Sequence, residues 1–220
     1  MDKRWTISQN QWQLLLSQCG KENRYGMYFT KEQQEKRQVV ENLYQMVKEG
    51  ILLPKEEKLE ISSDYKKLLE LCTNAKKGCL IEYQEGNQTL FLYLGEKSVL
   101  CENSAIKSNS FTFSVKTKEE LLLYFMEKGI FPQYHTEGKE DSTWEPEGSF
   151  LEKESSELWK NPKVESIATF FDLDTGKKTG RFLLYQEDGE EYLLVEKESE
   201  KGKRLLMHEK NLGQIWKELA

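Results

Sequence analysis

The sequence predicts an α+β protein with two antiparallel sheet-and-helix halves behind an N-terminal helical segment. Short apolar runs separated by compact turns indicate strands, and two series of such runs each end in a helical stretch. The first series covers residues 79–128 and the second covers residues 164–219. Because four strands and a helix occur twice in the same order, an internal duplication with a pseudo-two-fold axis is predicted. Two unrelated meanders of similar length are the alternative.

Composition limits the classes of function. The chain has 220 residues, of which 37% are hydrophobic and 32% charged, so it is long enough to bury a core under a very polar surface. Its net charge is −6, and lysines and glutamates are interleaved, so no basic face for nucleic acid is expected. The N-terminus is polar and no apolar window is long enough for a membrane span. A cytoplasmic protein without membrane insertion is therefore expected.

The N-terminal segment is predicted to be helical. Helical spacing of apolar residues indicates a helix over residues 8–19, with Ser8 as its N-cap. Thr30 and Gln33 have the spacing of a capping box, which predicts a second helix over residues 30–49. A short extended piece and a third helix, capped by Ser62 or Ser63, follow. This order is similar to a winged helix, so a winged-helix-containing transcriptional regulator is the alternative function.

The first meander is predicted from four apolar runs and a capping box. The strands are expected at residues 79–83, 89–94, 98–101 and 111–115. The run 90–94 is apolar throughout, so both faces of that strand should be covered. Thr117 and Glu120 predict a helix over residues 117–128. Its centre, residues 121–126, is apolar all round, which predicts burial on several sides.

The chain then changes character. Residues 133–149 are acidic and aperiodic, so they are the predicted linker between residues 1–132 and residues 150–220. A helix is predicted over residues 149–160. The second meander follows, with strands expected at residues 164–171, 181–185, 191–195 and 204–207 and a final helix capped by Asn211.

One acidic turn, at Asp172 and Asp174, has residues that also occur in enzyme active sites. Asp172 and Asp174 follow an apolar strand, as in the nucleophile loop of haloacid-dehalogenase phosphotransferases, and the same residues begin like a calcium loop. The phosphotransferase reaction needs a parallel sheet and further motifs, whereas hairpin patterns follow here. A hairpin turn is therefore the favoured interpretation, with no enzyme activity expected.

The sequence predicts neither a cofactor nor a metal site. The four cysteines form no Cys-x-x-Cys pair and are expected to be free thiols packed as small apolar side chains. His135 and His208 lie far from them in sequence, and no phosphate-binding glycine loop occurs.

Three aromatic residues in or beside the acidic segment are the candidate partner-binding residues. Trp144, Phe150 and Trp159 could fix the segment to the core or could contact a partner, since aromatic side chains dominate interface hot spots. An exposed edge strand in either meander could also pair with a second copy to give a homodimer.

The element order resembles the EspG-type cytosolic chaperones of ESX (type VII) secretion systems. The resemblance begins with the helical segment VVENLYQMVKEGIL at residues 39–52 and continues through the two meanders with their helices. It implies a fold of two quasi-two-fold-related halves and a non-enzymatic chaperone or accessory role. The partner it implies is a helical secretion substrate of the WXG type or one of its longer relatives.

Overall fold

The computed structural model describes residues 3–20, 35–84, 86–131, 149–187, 189–198, 200–206 and 213. The helical N-terminal segment contains β1 (Arg4–Ser8), α1 (Gln9–Gln18), α2 (Lys36–Lys48), β2 (Leu52–Lys55), β3 (Lys58–Ile61) and α3 (Ser63–Asn74). The first meander contains β4 (Lys77–Tyr83), β5 (Gln88–Leu94), β6 (Ser98–Asn103), β7 (Ser110–Lys116) and α4 (Lys118–Glu127). The second contains α5 (Ser155–Leu158), β8 (Val164–Asp172), β9 (Lys178–Glu187), β10 (Glu190–Lys197) and β11 (Glu200–Leu206).

Nine of these strands form one antiparallel sheet in the order β1-β7-β6-β5-β4-β8-β9-β10-β11. The two meanders join through β4 and β8, which pair in register from Lys77 opposite Asp172 to Tyr83 opposite Ser166. Outward from this pair, each meander continues in chain order. The predicted α+β class with antiparallel meanders is thus confirmed, and both series of predicted strands are present. Shared ancestry of the halves, their division into domains and pairing of an edge strand with a second copy stay predictions.

The sheet is covered on both faces. One face packs against α1, α2 and α3, whose buried residues include Trp12, Met46 and Leu68. The opposite face packs against α4 and the chain just after it, through Leu121, Phe125 and Phe131 among others. A smaller cluster beneath the segment around α5 covers the second meander. As predicted, β5 is buried on both sides, because alternate residues of its 90–94 run belong to different clusters.

The N-terminal segment differs from its prediction in two places. Strand β1 was not predicted, because its alternation of Trp5 and Ile7 with polar residues is only five residues long. The described part of the second helix begins at Lys36 and not at Thr30, since Glu35 occupies the N-cap position and forms a capping box with Gln38. Thr30 and Gln33 themselves lie outside the described residues.

The predicted helix over residues 149–160 is mostly wrong. Only Ser155–Leu158 is helical. The carbonyl groups of Phe150 and Lys153 accept hydrogen bonds from the side chain of Arg181, so the sheet and not a helix satisfies them. The final helix predicted from Asn211 and all but residue 149 of the predicted linker lie outside the described residues.

Candidate protein-binding groove

The three predicted partner-binding residues have different surroundings. Phe150 is 4% exposed and packs in the cluster beneath the second meander, where the half-buried Trp159 also packs. Trp159 lies over Gly86, since a Cβ atom at Gly86 would come within 3.0 Å of the indole Nε1. Trp144 lies outside the described residues. The structure therefore places Phe150 and Trp159 together against the sheet, and their contact with a partner stays a prediction.

The Asp172 turn has the geometry of a hairpin connection. Asp172 Oδ1 accepts hydrogen bonds from the backbone N–H groups of Asp174 and Thr175 and from the Thr175 hydroxyl. The donors on Thr175 lower the pKa of the Asp172 carboxyl. Asp174 pairs with Lys76 at 2.9 Å. The adjoining strands β8 and β9 are antiparallel, so the turn lacks the parallel-strand setting that the phosphotransferase chemistry requires.

Within the described residues, the cysteines and other potential ligands form neither a reactive thiol site nor a metal site. Cys72, Cys79 and Cys101 are buried as small apolar side chains, as predicted, but Cys19 is exposed beyond the end of α1. Burial raises the pKa of the Cys79 and Cys101 thiols, which makes them poor nucleophiles. Across the part of the chain that is described, no group of three or more His, Cys, Asp or Glu residues could hold a metal ion. His135 and His208 lie outside that part.

The strongest candidate site is a groove of about 640 Å³ beside α4, here called the α4 groove. Its lining comes from β1, from β6 and the loop after it, from β7 and from α4. These residues are Arg4, Thr6, Glu102, Asn103, Ala105, Ile106, Thr112, Lys116, Glu120, Leu123, Tyr124, Glu127 and Lys128. On β1 they alternate with Trp5 and Ile7, which face α1–α3. The groove therefore lies on the sheet face opposite those helices.

Two exposed apolar side chains line the α4 groove. Ile106 is 97% exposed and Leu123 is 58% exposed. The prediction that α4 is buried on several sides is confirmed only in part, because Leu122 and Tyr124 also pack partly buried against the core, whereas Leu123 is exposed. Of its apolar run, Leu121 and Phe125 are buried at i and i+4, whereas Leu123 points away from that stripe. Because the run is apolar all round the helix, its pattern does not indicate which helix face remains open.

The loop that carries Ile106 is fixed to the body of the protein. The Ser104 hydroxyl accepts hydrogen bonds from the backbone N–H groups of Ile106 and Lys107. Lys107 Nζ pairs at 3.0 Å with Oε1 of Glu49, the residue directly after α2. Glu49 also accepts hydrogen bonds from Gln11 and Gln45. These contacts fix the backbone of the loop at Ile106.

The charges that line the groove are equal in number and opposite in sign, and some of the polar side chains contact one another. Three cationic and three anionic side chains contribute, namely Arg4, Lys116, Lys128, Glu102, Glu120 and Glu127. The Tyr124 hydroxyl donates to Glu102, and burial together with this bond raises the pKa of Tyr124 well above its usual range. Lys128 lies over the Tyr124 ring, with Nζ 5.6 Å from the centroid. The groove thus combines a neutral polar floor with two apolar contacts, which suits a protein ligand.

A winged-helix regulator, the alternative function, would present polar side chains of a helix to DNA, and two such side chains of α2 are engaged on the helix itself. Arg37 pairs with Glu41 at 2.9 Å, and the Gln38 side chain accepts the backbone N–H of Glu35. The β2–β3 hairpin lies between α2 and α3 in the chain.

Among the helices that the structure describes, none has the length and apolar character needed to cross a membrane.

Comparisons with known proteins identify the fold. No protein-family model matches the chain, and no curated protein does. Among solved structures, the chain is similar to the Mycobacterium tuberculosis type VII secretion system chaperone EspG5, in a structure of EspG5 in complex with the PE25-PPE41 dimer. The TM-score is 0.55 at 11% identity, and the similarity covers 99% of this chain and 95% of that chain. This likeness confirms the predicted resemblance to EspG-type chaperones at the level of the fold.

Proposed function

We propose that the protein is a non-enzymatic cytosolic chaperone or accessory factor that binds a helical secretion substrate through the α4 groove. The observation that carries the proposal is the joint exposure of Ile106 and Leu123 in one groove of a protein with the EspG5 fold. EspG5 was solved in complex with the PE25-PPE41 dimer, which supports a protein partner of the type VII secretion class for this chain.

The shape of the groove favours an amphipathic helix as the occupant. Its α4 wall extends from Glu120 to Lys128, a length of about 12 Å or two helical turns at 1.5 Å per residue. A helix lying beside α4 could place apolar residues at i and i+4 against Leu123 and Ile106. Its polar residues would face the charges of the groove and the solvent.

Burial of the two exposed side chains supplies the driving force. Covering a fully exposed leucine or isoleucine contributes about 1.5–3 kcal/mol, and Leu123 contributes less because it is already partly covered. An aspartate at either position would put a charge into this contact. We therefore expect Leu123→Asp or Ile106→Asp to weaken binding by about tenfold or more, the equivalent of 1.4 kcal/mol.

The test is co-purification of the tagged protein from its native cytosol, with identification of bound proteins by mass spectrometry. The expected result is a stoichiometric helical protein of the secretion class that is lost with Ile106→Asp and with Leu123→Asp. The matched control is Val40→Asp, at a 66% exposed position of α2, the helix that packs on the other face of the sheet, and this variant should retain the partner. A monomer without a partner would contradict the proposal, and salt-dependent retention on DNA would favour a transcriptional regulator.

A further inference from the structure

A second concave site lies at one end of the sheet and has no part in the α4 groove. It encloses about 820 Å³ between the end of α3, the start of β4 and the turn from β5 to β6. It shares no lining residue with the α4 groove. It is here called the lysine-rich pocket, because four lysines line it: Lys67, Lys76, Lys77 and Lys97.

The lysine-rich pocket has an apolar base. Leu94 and Ala75 are buried there, and Leu71 on α3 is 36% exposed. Leu71 lies outside the buried stripe of its helix, which consists of Leu68, Leu69 and Cys72. The pocket can therefore accept one apolar side chain from a ligand, which would cover Leu71.

The charge of the pocket is opposite to that of the whole protein. Its four lysines and two glutamates, Glu70 and Glu96, give a formal charge of +2, whereas the chain carries −6. Asp174, which pairs with Lys76 at 2.9 Å, and Asp172, which lies opposite Lys77 on β8, are not lining residues, so Lys67 and Lys97 are the lysines that would meet the carboxylates of a ligand. A local positive balance on an acidic protein attracts an anionic ligand and repels a cationic one.

We infer that the lysine-rich pocket binds an acidic peptide segment of a partner protein, with a leucine-sized side chain over Leu71 and carboxylates beside Lys67 and Lys97. The apolar contact contributes most of the affinity, since exposed ion pairs are worth only about 0–1 kcal/mol each. The lysines mainly determine which peptide binds. Because the site is separate from the α4 groove, the inference stands or falls independently of the proposed function.

The test uses two labelled peptides with the same leucines and opposite flanking charges, Glu-Glu-Leu-Leu-Glu-Glu and Lys-Lys-Leu-Leu-Lys-Lys. Fluorescence anisotropy with the full chain should show binding of the acidic peptide, about tenfold or more tighter than binding of the basic one. The preference should decline as salt screens the charges. Equal affinity for both peptides, or no binding of the acidic one, would overturn the inference.

Variants locate the site. The double variant Lys67→Glu with Lys97→Glu should lose the preference, and Leu71→Asp should weaken binding of the acidic peptide about tenfold. The matched control makes the same charge change on the β2–β3 hairpin, with Lys55→Glu and Lys58→Glu, and should bind as the unaltered protein does. An equal loss of the charge preference in this control would contradict the assignment of the peptide to the lysine-rich pocket. So would Lys67- and Lys97-dependent retention on phosphatidylserine vesicles without peptide binding, since it would identify a lipid surface as the ligand.

Discussion

Arg181 and Glu196 lie directly opposite each other on β9 and β10, and both bind the backbone of Phe150. Glu196 Oε2 accepts the N–H groups of Phe150 and Leu151 at 2.7 and 2.8 Å. Arg181 Nη1 donates to the Phe150 carbonyl at 2.8 Å, and its Nε donates to Thr169. Burial lowers the pKa of Arg181, while surrounding carboxylates, Glu82 first among them, oppose this effect. The pair therefore fixes the segment before α5 to the sheet.

Removing the carboxylate of Glu196 should destabilise the protein. Glu196→Ala leaves two buried backbone N–H groups without their acceptor and removes one of the carboxylates around Arg181, so we expect the free energy of unfolding to fall by about 2–4 kcal/mol. Urea unfolding measures this difference. Glu57→Ala, at an exposed turn, is the control and should change stability little. Equal stability of the two variants would mean that the pair does not hold the segment.

Gly78 should tolerate no side chain. A Cβ atom there would lie 2.6 Å from Leu173 Cδ2 and 2.6 Å from Phe91 Cζ, both in the core. We expect Gly78→Ala to reduce the free energy of unfolding by about 1–3 kcal/mol through overpacking. The matched control is Gly95→Ala, whose Cβ would meet only the Lys97 carbonyl at 3.4 Å. Thermal unfolding of both variants should separate them, and similar melting temperatures would contradict the packing argument.

The capping box of α4 should contribute measurable stability. The Thr117 hydroxyl accepts the backbone N–H of Glu120, and the Glu120 side chain accepts the N–H of Thr117. Thr117→Ala should lower the free energy of unfolding by about 1 kcal/mol. Thr117→Ser keeps a hydroxyl acceptor and should lower it by less. Circular dichroism during denaturant unfolding provides the comparison. A serine variant as unstable as the alanine variant would argue against the cap.

These features differ in how far the sequence could predict them. Thr117 and Glu120 were predicted correctly because a capping box depends on residues three positions apart. Both meanders were predicted from short apolar runs and the turn residues between them. Contacts between distant residues, such as Glu196 with Phe150, leave no local pattern, so the segment around Phe150 was wrongly predicted as a helix. The exposure of Leu123 likewise depends on which face of α4 meets the sheet, and apolar residues all round the helix cannot specify that.

The loop that carries Ile106 should respond to acid through Glu49. Burial raises the pKa of Glu49, but hydrogen bonds from Gln45, Gln11 and Lys107 outweigh it, so the net pKa is lowered from its usual value of 4.5. Because the pKa of Glu49 is lower in the folded protein than in the unfolded chain, its carboxylate stabilises the folded protein at pH values above the unfolded-state pKa of about 4.5. This stabilisation is lost as the pH falls through the folded-state pKa. The stability difference between the unaltered protein and Glu49→Ala should therefore shrink below about pH 4.5. A difference that stays constant across this range would contradict the assignment.

The most direct test of the α4 groove is site-specific photocrosslinking in the native cytosol. A photoreactive phenylalanine analogue at position 123 should crosslink to a helical protein of the secretion class, and the same analogue at position 106 should capture the same protein. At position 40, which is also exposed but lies on α2, the helix that packs on the opposite face of the sheet, the analogue should not capture it. Capture of that protein from position 40 alone, or no crosslink from positions 106 and 123, would contradict the account.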